Sequence, residues 1–413
     1  MVAPMGTFGE DSVSLSPDAK QLARISSPSS KLNDQIVVFD MATNRDTLLT
    51  KIPERQFSDV AWTPDGRGLL VVYVDRGSGS TNAQIGYVSY PDGRFQSLTN
   101  DVHGYRNLSL SADGKALVSI QREESDAIYL QELAGTAAPV AVPGLPGQAA
   151  VTSVDWDNHA NLIVATSDSL LRISPDGSQQ STLVSNPSAL IGSVSMCRNG
   201  GRLVLSWSLN VGPSERFIWT IDEDGSHPTE IPGTGWVFMP ICSPDGKWIY
   251  YLDQDFRTKR VAINGGTPEL LPGSVIANGY LVGMNNLSAD GKLLPTIAAL
   301  SDPATHAGIS KIALLEVNAT SPSSIKYLTP RPDISLPIGF TPDGKAVAYK
   351  IVEQGVANVW KQPLDGSPGH RLTNFAADQM SDFRFSPDGK SMAVARQHIV
   401  SDVVLLRDTH TSQ

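Results

Sequence analysis

Short apolar runs recur along the chain, and the clearest of them follow the same polar turn. Leu69-Leu70-Val71-Val72 follows Pro64-Asp65-Gly66-Arg67, and Trp248-Ile249-Tyr250-Tyr251 follows Pro244-Asp245-Gly246-Lys247. Pro342-Asp343-Gly344-Lys345 and Pro387-Asp388-Gly389-Lys390 repeat the turn, and each of these copies is preceded by Ser or Thr and then by Trp, Cys or Phe. Asp-Gly between alternating apolar segments is a hairpin signal, because the central positions of a tight hairpin need positive φ. Helical periodicity is absent, and 28 Pro with 35 Gly would punctuate any long helix. The pattern predicts an all-β chain.

One unit shows how the strands are joined. Phe57 to Thr63 alternates into Asp65-Gly66, Gly68 to Val74 is densely apolar, and Gly77-Ser78-Gly79-Ser80 opens a loop. Ile85 to Tyr90 then leads through a second Asp-Gly turn, Asp92-Gly93, to Phe95 through Leu98. That second hairpin recurs at Asp176-Gly177, Asp224-Gly225, Gly265-Gly266 and Asp365-Gly366. Two hairpins in series make an antiparallel four-stranded meander.

The residues aligned with the Asp of the first turn are Asp18, Asp65, Asp113, His159, Gly200, Asp245, Asp290, Asp343 and Asp388, at intervals of 47, 48, 46, 41, 45, 45, 53 and 45. Three copies have decayed: Ala19 follows Asp18, the fourth reads Asn158-His159-Ala160-Asn161, and the fifth reads Asn199-Gly200-Gly201-Arg202. Four-stranded units at this period predict the blades of a β-propeller. The last repeat supplies strands near Asp382 to Phe385, Ser391 to Arg396 and Asp402 to Arg407, and no fourth. Val2 to Phe8 is the segment free to complete it. The expected architecture is therefore one domain over residues 1–413, a ring of nine blades closed by its own N-terminal strand, with eight blades as the alternative. Removing residues 1–10 should on that reading expose a sheet edge.

Composition agrees with a repeat array. A chain of 413 residues exceeds the ~250–300 at which single cores stop growing, a limit that repeats evade by packing only on their neighbours. A net charge of -10 argues against a nucleic-acid partner. No apolar stretch is long enough to span a membrane, and Met1-Val2-Ala3-Pro4-Met5-Gly6 has no secretory signal pattern. Either the chain stays in the cytoplasm or it comes from a longer parent. Cys197 and Cys242, the only cysteines, stand four residues before Gly201 and Gly246 of adjacent repeats. Equivalent positions in a repeat fill equivalent core slots, so they read as buried free thiols, with a disulfide or metal role as the alternative.

The Ser-Pro-Asp-Gly-Lys turn after an aromatic, followed by dense apolar strands, resembles the WD-repeat-like propeller repeat of the TolB type, most strongly in repeats 2, 3, 6, 8 and 9. Tyr90-Pro91-Asp92-Gly93-Arg94 leading to Leu98-Thr99-Asn100-Asp101, and Ala393-Val394-Ala395-Arg396 leading to Ser401 through Asp408, look like propellers attached to bacterial transmembrane serine/threonine kinases and winged-helix regulators, notably in acidobacteria. The resemblance implies a sensor or scaffold role in a periplasmic or other extracytoplasmic compartment.

Gly-x-Ser-x-Gly is absent, as are the His-Arg-Asp loop, Asp-Phe-Gly and the Gly-rich loop of kinases. Gly77-Ser78-Gly79-Ser80-Thr81 lacks the Lys and the helix of a phosphate loop. Asp222-Glu223-Asp224-Gly225 and Asp253-Gln254-Asp255 lack calcium-loop spacing and read as solvated turns. His103, His159, His227, His306, His370, His398 and His410 sit in different units without metal-ligand pairing. Trp62, Trp156, Phe340 and Phe385 recur at one repeat position and read as inter-blade core.

Candidate binding residues are Asp59, Asn107 and Asp382, at matching positions near the starts of inner strands. They are either a polar channel rim or pair with neighbouring backbone. The interruptions at Ser301 to Gly308 and Asn318 to Ser324 are candidate contact loops. The expected function is a non-catalytic, monomeric propeller that binds a ligand or protein, with no cofactor and no metal; the rival is a lyase or hydrolase with an active site on the axis. The repeated Asp is read as structural, its side chain accepting backbone N–H groups two residues on while Gly takes positive φ. Asp65→Ala should therefore lower stability by about 1 kcal/mol, read as a shift of the thermal melt, and leave any binding activity intact. Lost activity with an unchanged melt would contradict that role.

Overall fold

The computed structural model describes residues 12–26, 34–52, 55–75, 82–134, 137–145, 150–186, 189–209, 216–301, 305 and 307–407. Val2 to Phe8, Gly77 to Thr81, His306 and His410 lie outside these residues. The described chain is almost entirely β, and its strands form eight antiparallel sheets.

The first sheet is β1 (Val13–Leu15), β2 (Gln21–Ser26), β3 (Gln35–Asp40) and β4 (Arg45–Lys51), and the second is β5 (Arg55–Trp62), β6 (Gly68–Asp75), β7 (Gln84–Ser89) and β8 (Phe95–Ser97). Next come β9 (Gly104–Leu110), β10 (Ala116–Glu132) and β11 (Val140–Ala141). Five four-stranded meanders follow: β12 (Val151–Trp156), β13 (Leu162–Thr166), β14 (Ser169–Ile173) and β15 (Gln180–Ser185); then β16 (Ala189–Cys197), β17 (Arg202–Leu209), β18 (Phe217–Asp222) and β19 (Thr229–Glu230). The third is β20 (Phe238–Cys242), β21 (Trp248–Leu252), β22 (Thr258–Ala262) and β23 (Glu269–Leu270). The fourth is β24 (Gly279–Val282), β25 (Leu293–Ser301), β26 (Gly308–Glu316) and β27 (Lys326–Leu328), and the fifth β28 (Ile334–Phe340), β29 (Ala346–Glu353), β30 (Val356–Pro363) and β31 (His370–Arg371). The chain ends in β32 (Gln379–Phe385) and β33 (Ser391–Arg407).

The turn that announces each repeat works as its residues dictate. Thr63 Oγ1 donates to Asp65 Oδ1 at 2.7 Å, the Arg67 amide donates to the same oxygen at 3.0 Å, and Gly66 has φ +68°. The same bonds recur around Asp113, Asp245, Asp290, Asp343 and Asp388. The decayed fourth copy keeps the geometry with other atoms: Asp157 Oδ1 accepts the His159 and Asn161 amides at 2.8 Å, and Ala160 takes φ +60°.

The nine turns yield eight sheets because the third and ninth repeats share one. Its strand order is β11-β10-β33-β32, with β9 also paired to β10. The outer positions beside the ninth repeat's hairpin are thus held by β10 and β11, while Val2 to Phe8, expected there, lies outside the described residues. Both β10 and β33 are 17 residues long, long enough to serve two groups of sheets.

The described residues form two compact units. The first takes those up to Glu123 and those from Ile399 onward, and the second those from Glu124 to His398. In the second unit six sheets are joined by six apolar cores in cyclic order. Val154 and Leu162 pack with Ala393, Ala395 and Ile128; Ile163 and Leu170 with Ile191 and Leu203; Cys197 and Ile218 with Ile249 and Tyr251. Ile241 and Leu252 pack with Leu281 and Leu294, Ile297 and Leu314 with Ile338 and Tyr349, and Ala348 and Val359 with Phe383 and Val394, which returns to the starting sheet. The second unit is therefore a closed six-sheet propeller.

Cys197 and Cys242 form a disulfide, with Cα atoms 5.3 Å apart, and are not the free thiols expected. They end β16 and β20, the innermost strands of adjacent sheets. Whole sheets stack about 10 Å apart, but inner strands converge toward the axis, so equivalent positions there come within bridging distance. The bridge spans 45 residues, for which the chain-entropy relation gives an upper value of about 4 kcal/mol. Alkylation without reductant should leave both cysteines unmodified in the intact mass. The Cys197→Ser, Cys242→Ser double variant should lose about 2–4 kcal/mol of stability in denaturant titration.

Candidate functional site

The three sequence candidates lie on inner strands, each beside a β-bulge. In β5 the register shifts between Phe57 and Asp59, in β32 between Met380 and Asp382, and in the β9–β10 pair opposite Ser119 and Ile120, where Asn107 is skipped at φ +58°. A bulge inserts one residue and re-aims the next side chain. Asn107 is itself the inserted residue and is exposed.

Asp59 and Asp382 are spent on neighbouring strands. Asp59 Oδ2 accepts the Leu108 amide at 2.8 Å and Oδ1 accepts the Ser12 hydroxyl and its own neighbour Val60's amide at 2.9 Å. Asp382, buried, accepts the Ser153 hydroxyl at 2.8 Å and the Val154 amide at 3.2 Å on Oδ2, and the Phe383 amide at 2.8 Å on Oδ1. Burial pushes its carboxyl up, against the opposing pull of Arg384 and these donors. Both residues thus pair with neighbouring backbone.

Sequence reasoning missed the rest of this set. Asp155 Oδ2 accepts the Met196 amide at 2.8 Å, Ser195 Oγ the Cys242 amide at 3.2 Å, and Asn286 Oδ1 the Phe340 amide at 2.7 Å. In every case a side chain of one sheet's innermost segment binds the inner-strand backbone of the next. The available signal was a carboxylate standing between Val154 and Trp156.

Around Asp382 lie further charged side chains, Arg384, Asp155 and Lys350. The Arg384 guanidinium lies 3.7 Å from Asp382 Oδ1 and 4.0 Å from Asp155 Oδ2, too far for good hydrogen bonds, and its Nε and Nη1 are buried without a hydrogen-bond partner. Lys350 donates to the Met380 carbonyl at 3.2 Å, and burial holds its ammonium below the usual lysine value, with Asp382 opposing. This arrangement offers unused cationic donors between β32 and β12.

A second cluster forms at the decayed fourth turn, where ligand atoms of Asp157, His159 and Glu223 lie within 4.8 Å of one another. Their lone pairs are already engaged. Arg172 Nε stands 3.0 Å from Asp157 Oδ2 and its guanidinium binds the Glu223 carbonyl, while Asn161 Nδ2 donates to Asp157 at 3.0 Å and His159 Nδ1 lies 3.3 Å from Glu223. The guanidinium supplies the positive charge a cation would bring. Asp253 is built like Asp157: buried rather than solvated, it accepts the Asp255 and Arg257 amides at 3.0 Å, with Lys259 Nζ at 3.0 Å. Three exposed or half-exposed histidines also sit on carboxylates, His103 on Glu123 at 2.7 Å and Asp101 at 3.5 Å, His227 on Asp222 at 2.8 Å and His398 on Asp378 at 2.7 Å.

No protein-family model matches the chain, and neither does any curated protein. Similarity appears among solved structures. A TolB-assigned protein from Agrobacterium tumefaciens is 19% identical at a TM-score of 0.53, covering 67% of this chain and 99% of its own. TolB from Acinetobacter baumannii is 13% identical at a TM-score of 0.37, over 91% of this chain and 78% of its own. Oligogalacturonate lyase from Vibrio parahaemolyticus is 14% identical at 0.34, over 86% and 89%. The first likeness shows the fold: this is a TolB-type β-propeller architecture.

Asp126 on β10 carries a testable electrostatic consequence. Its Oδ2 accepts the Val151 amide at 2.5 Å, Oδ1 is buried without a hydrogen-bond partner, and burial, aided by Glu124, pushes the carboxyl up to about 6. A raised carboxylic acid stabilises the fold in its neutral form, so its contribution is full below about pH 4 and is lost as pH rises through about 6. Asp126→Asn should melt higher than the parent at neutral pH, by about 1 kcal/mol after allowance for partial exposure, and the difference should vanish toward about pH 4. A pH-independent difference would contradict the assignment.

Proposed function

We propose that this chain is a non-catalytic propeller that binds a partner protein or ligand, serving as the sensor or scaffold module of a bacterial membrane-anchored signalling protein such as a serine/threonine kinase. The observation that carries the reading is the commitment of Asp155 and Asp382, the carboxylates best placed for axial chemistry, to the backbone of the adjoining sheets. A general acid or base must be free to meet a substrate proton, and these two hold strands together. Placement outside the cytoplasm is supported by the Cys197–Cys242 disulfide, since such bonds persist in oxidising compartments. Among the described residues no helix is long and apolar enough to cross a membrane, so anchoring would fall to other parts of a parent protein.

A second reading, an axial lyase or hydrolase, draws on the unbonded Nε and Nη1 of Arg384, which could receive an acidic substrate. One pair of variants separates the two. In the binding reading Asp382→Asn and Arg384→Ala lower the melting temperature, the first by about 1–3 kcal/mol of lost hydrogen bonding, and the parent turns over no polyuronate, ester or glycoside substrate. Measurable turnover abolished in both variants at unchanged melting temperature would establish the enzyme instead. Sequencing the gene upstream of Met1 for a kinase or winged-helix domain with a transmembrane helix tests the signalling assignment.

A further inference from the structure

Four aromatic rings of the second unit run in one file from an inter-sheet core to solvent. Trp236 meets Phe238 edge-on at 4.8 Å between ring centres, Phe238 lies within 7° of parallel to Phe256 at 5.9 Å, and Phe256 meets Tyr280 at 5.3 Å with a tilt of 30°. Phe238 packs on the core of Ile241, Leu252 and Leu281, and Tyr280, 48% exposed, ends the file. One exposed tyrosine is ordinary surface. A column of stacked rings whose last member stands in water is a platform, because a further flat apolar face can extend it.

The backbone is strained where the column is built. Phe256 stands in the turn from Asp253 to Arg257, where its amide donates to the Asp253 carbonyl at 3.0 Å, as the Gly66 amide does to Thr63 and the Gly225 amide to Asp222 in other turns. Glycine suits that position, yet Phe256 occupies it at φ +55°. A Cβ there crowds the following carbonyl oxygen, so a bulky residue at positive φ is rare, and such residues gather at ligand sites. What the strained residue supplies is the ring that joins Phe238 to Tyr280.

We infer that this platform binds a neutral sugar. The charges of the turn argue against an ionic ligand, since Arg257 pairs with both Asp253 and Asp255, and Lys259 Nζ stands 3.0 Å from Asp253. Uncharged amides flank the rings: Gln254 in the same turn and Asn278 two residues before Tyr280, both exposed. Small-molecule sites combine an apolar or aromatic surface with a few polar groups that fix orientation. A pyranose matches both parts, with C–H bonds on one face for the terminal ring and hydroxyls at its rim for the amides. The inference names a ligand class for the binding reading above and rests on it.

Calorimetric titration of the full chain with neutral hexaoses of glucose, mannose and N-acetylglucosamine, each to about 5 mM so that millimolar affinity is seen, tests the inference. At least one should bind, and the matching insoluble polysaccharides, run alongside, separate a free sugar from a polymer surface. Tyr280→Ala and Phe256→Gly should each weaken binding tenfold or more, while Tyr280→Trp keeps it. Phe256→Gly should melt no lower than the parent, because glycine relieves the positive φ. A ring with a merely structural role would instead lower the melt and leave binding unchanged, which overturns the inference. So does binding to none of the neutral sugars, or binding confined to charged ligands or apolar peptides. Should Tyr280→Ala unfold, Phe256→Gly decides alone. Cleavage of a bound sugar sinks the non-catalytic reading and leaves the platform standing; a chain that binds a protein partner but no sugar does the reverse.

Discussion

The bond on which this architecture depends runs from the backbone N–H of an inner strand to a side chain of the preceding sheet. Apolar cores between sheets are non-directional, and a pleated face can slide on its neighbour at small cost. A buried amide that must find one acceptor removes that freedom. Val154 finds Asp382, Met196 finds Asp155, Cys242 finds Ser195 and Phe340 finds Asn286, so four of the six junctions in the closed unit carry such a link. The first unit uses the same device from Ser14 to Trp62 and from Asp59 to Leu108. Several of these strands carry a bulge just before the linking residue, which turns a side chain from the face of its own sheet toward the edge of the next.

The cost of the device explains where the unusual electrostatics lie. Burying a carboxylate disfavours its charged form, and Asp382 shows that penalty although three donors and a guanidinium offset it. The exposed turn aspartates are the opposite case. Asp113, Asp290 and Asp388 sit in water, and a serine hydroxyl and then a backbone amide hold their carboxyls below the ordinary value. The two kinds of aspartate are close in sequence and differ in task, one shaping a hairpin and the other joining sheets.

That difference separates what sequence could disclose from what it could not. The second sheet was legible nearly to the residue, because Asp65-Gly66 and Asp92-Gly93 force hairpins through local conformational preference. Asp59 and Asp382 were also legible as special, occupying matching positions near the starts of inner strands, but their partners are contributed by other repeats. Asp155 escaped notice because its repeat has lost the turn that sets the alignment. The Cys197–Cys242 bridge depends on the convergence of inner strands, a property of the assembled array rather than of any repeat.

Closure was the least legible feature, and the reason lies in Gln121-Arg122-Glu123-Glu124-Ser125-Asp126. Alone, this polar run reads as the loop ending a blade, since nothing in it alternates with apolar residues. In the structure it is the middle of β10, and it is strand because β33 lies beside it. The identical hairpin chemistry of nine repeats does not specify how many sheets complete a circle; each sheet accepts any successor. Number is decided where the pattern lapses, at a ninth repeat short of its outer strands and a third whose second strand runs on far enough to supply them. Once that exchange is made, six sheets pack in a closed cycle in the second unit.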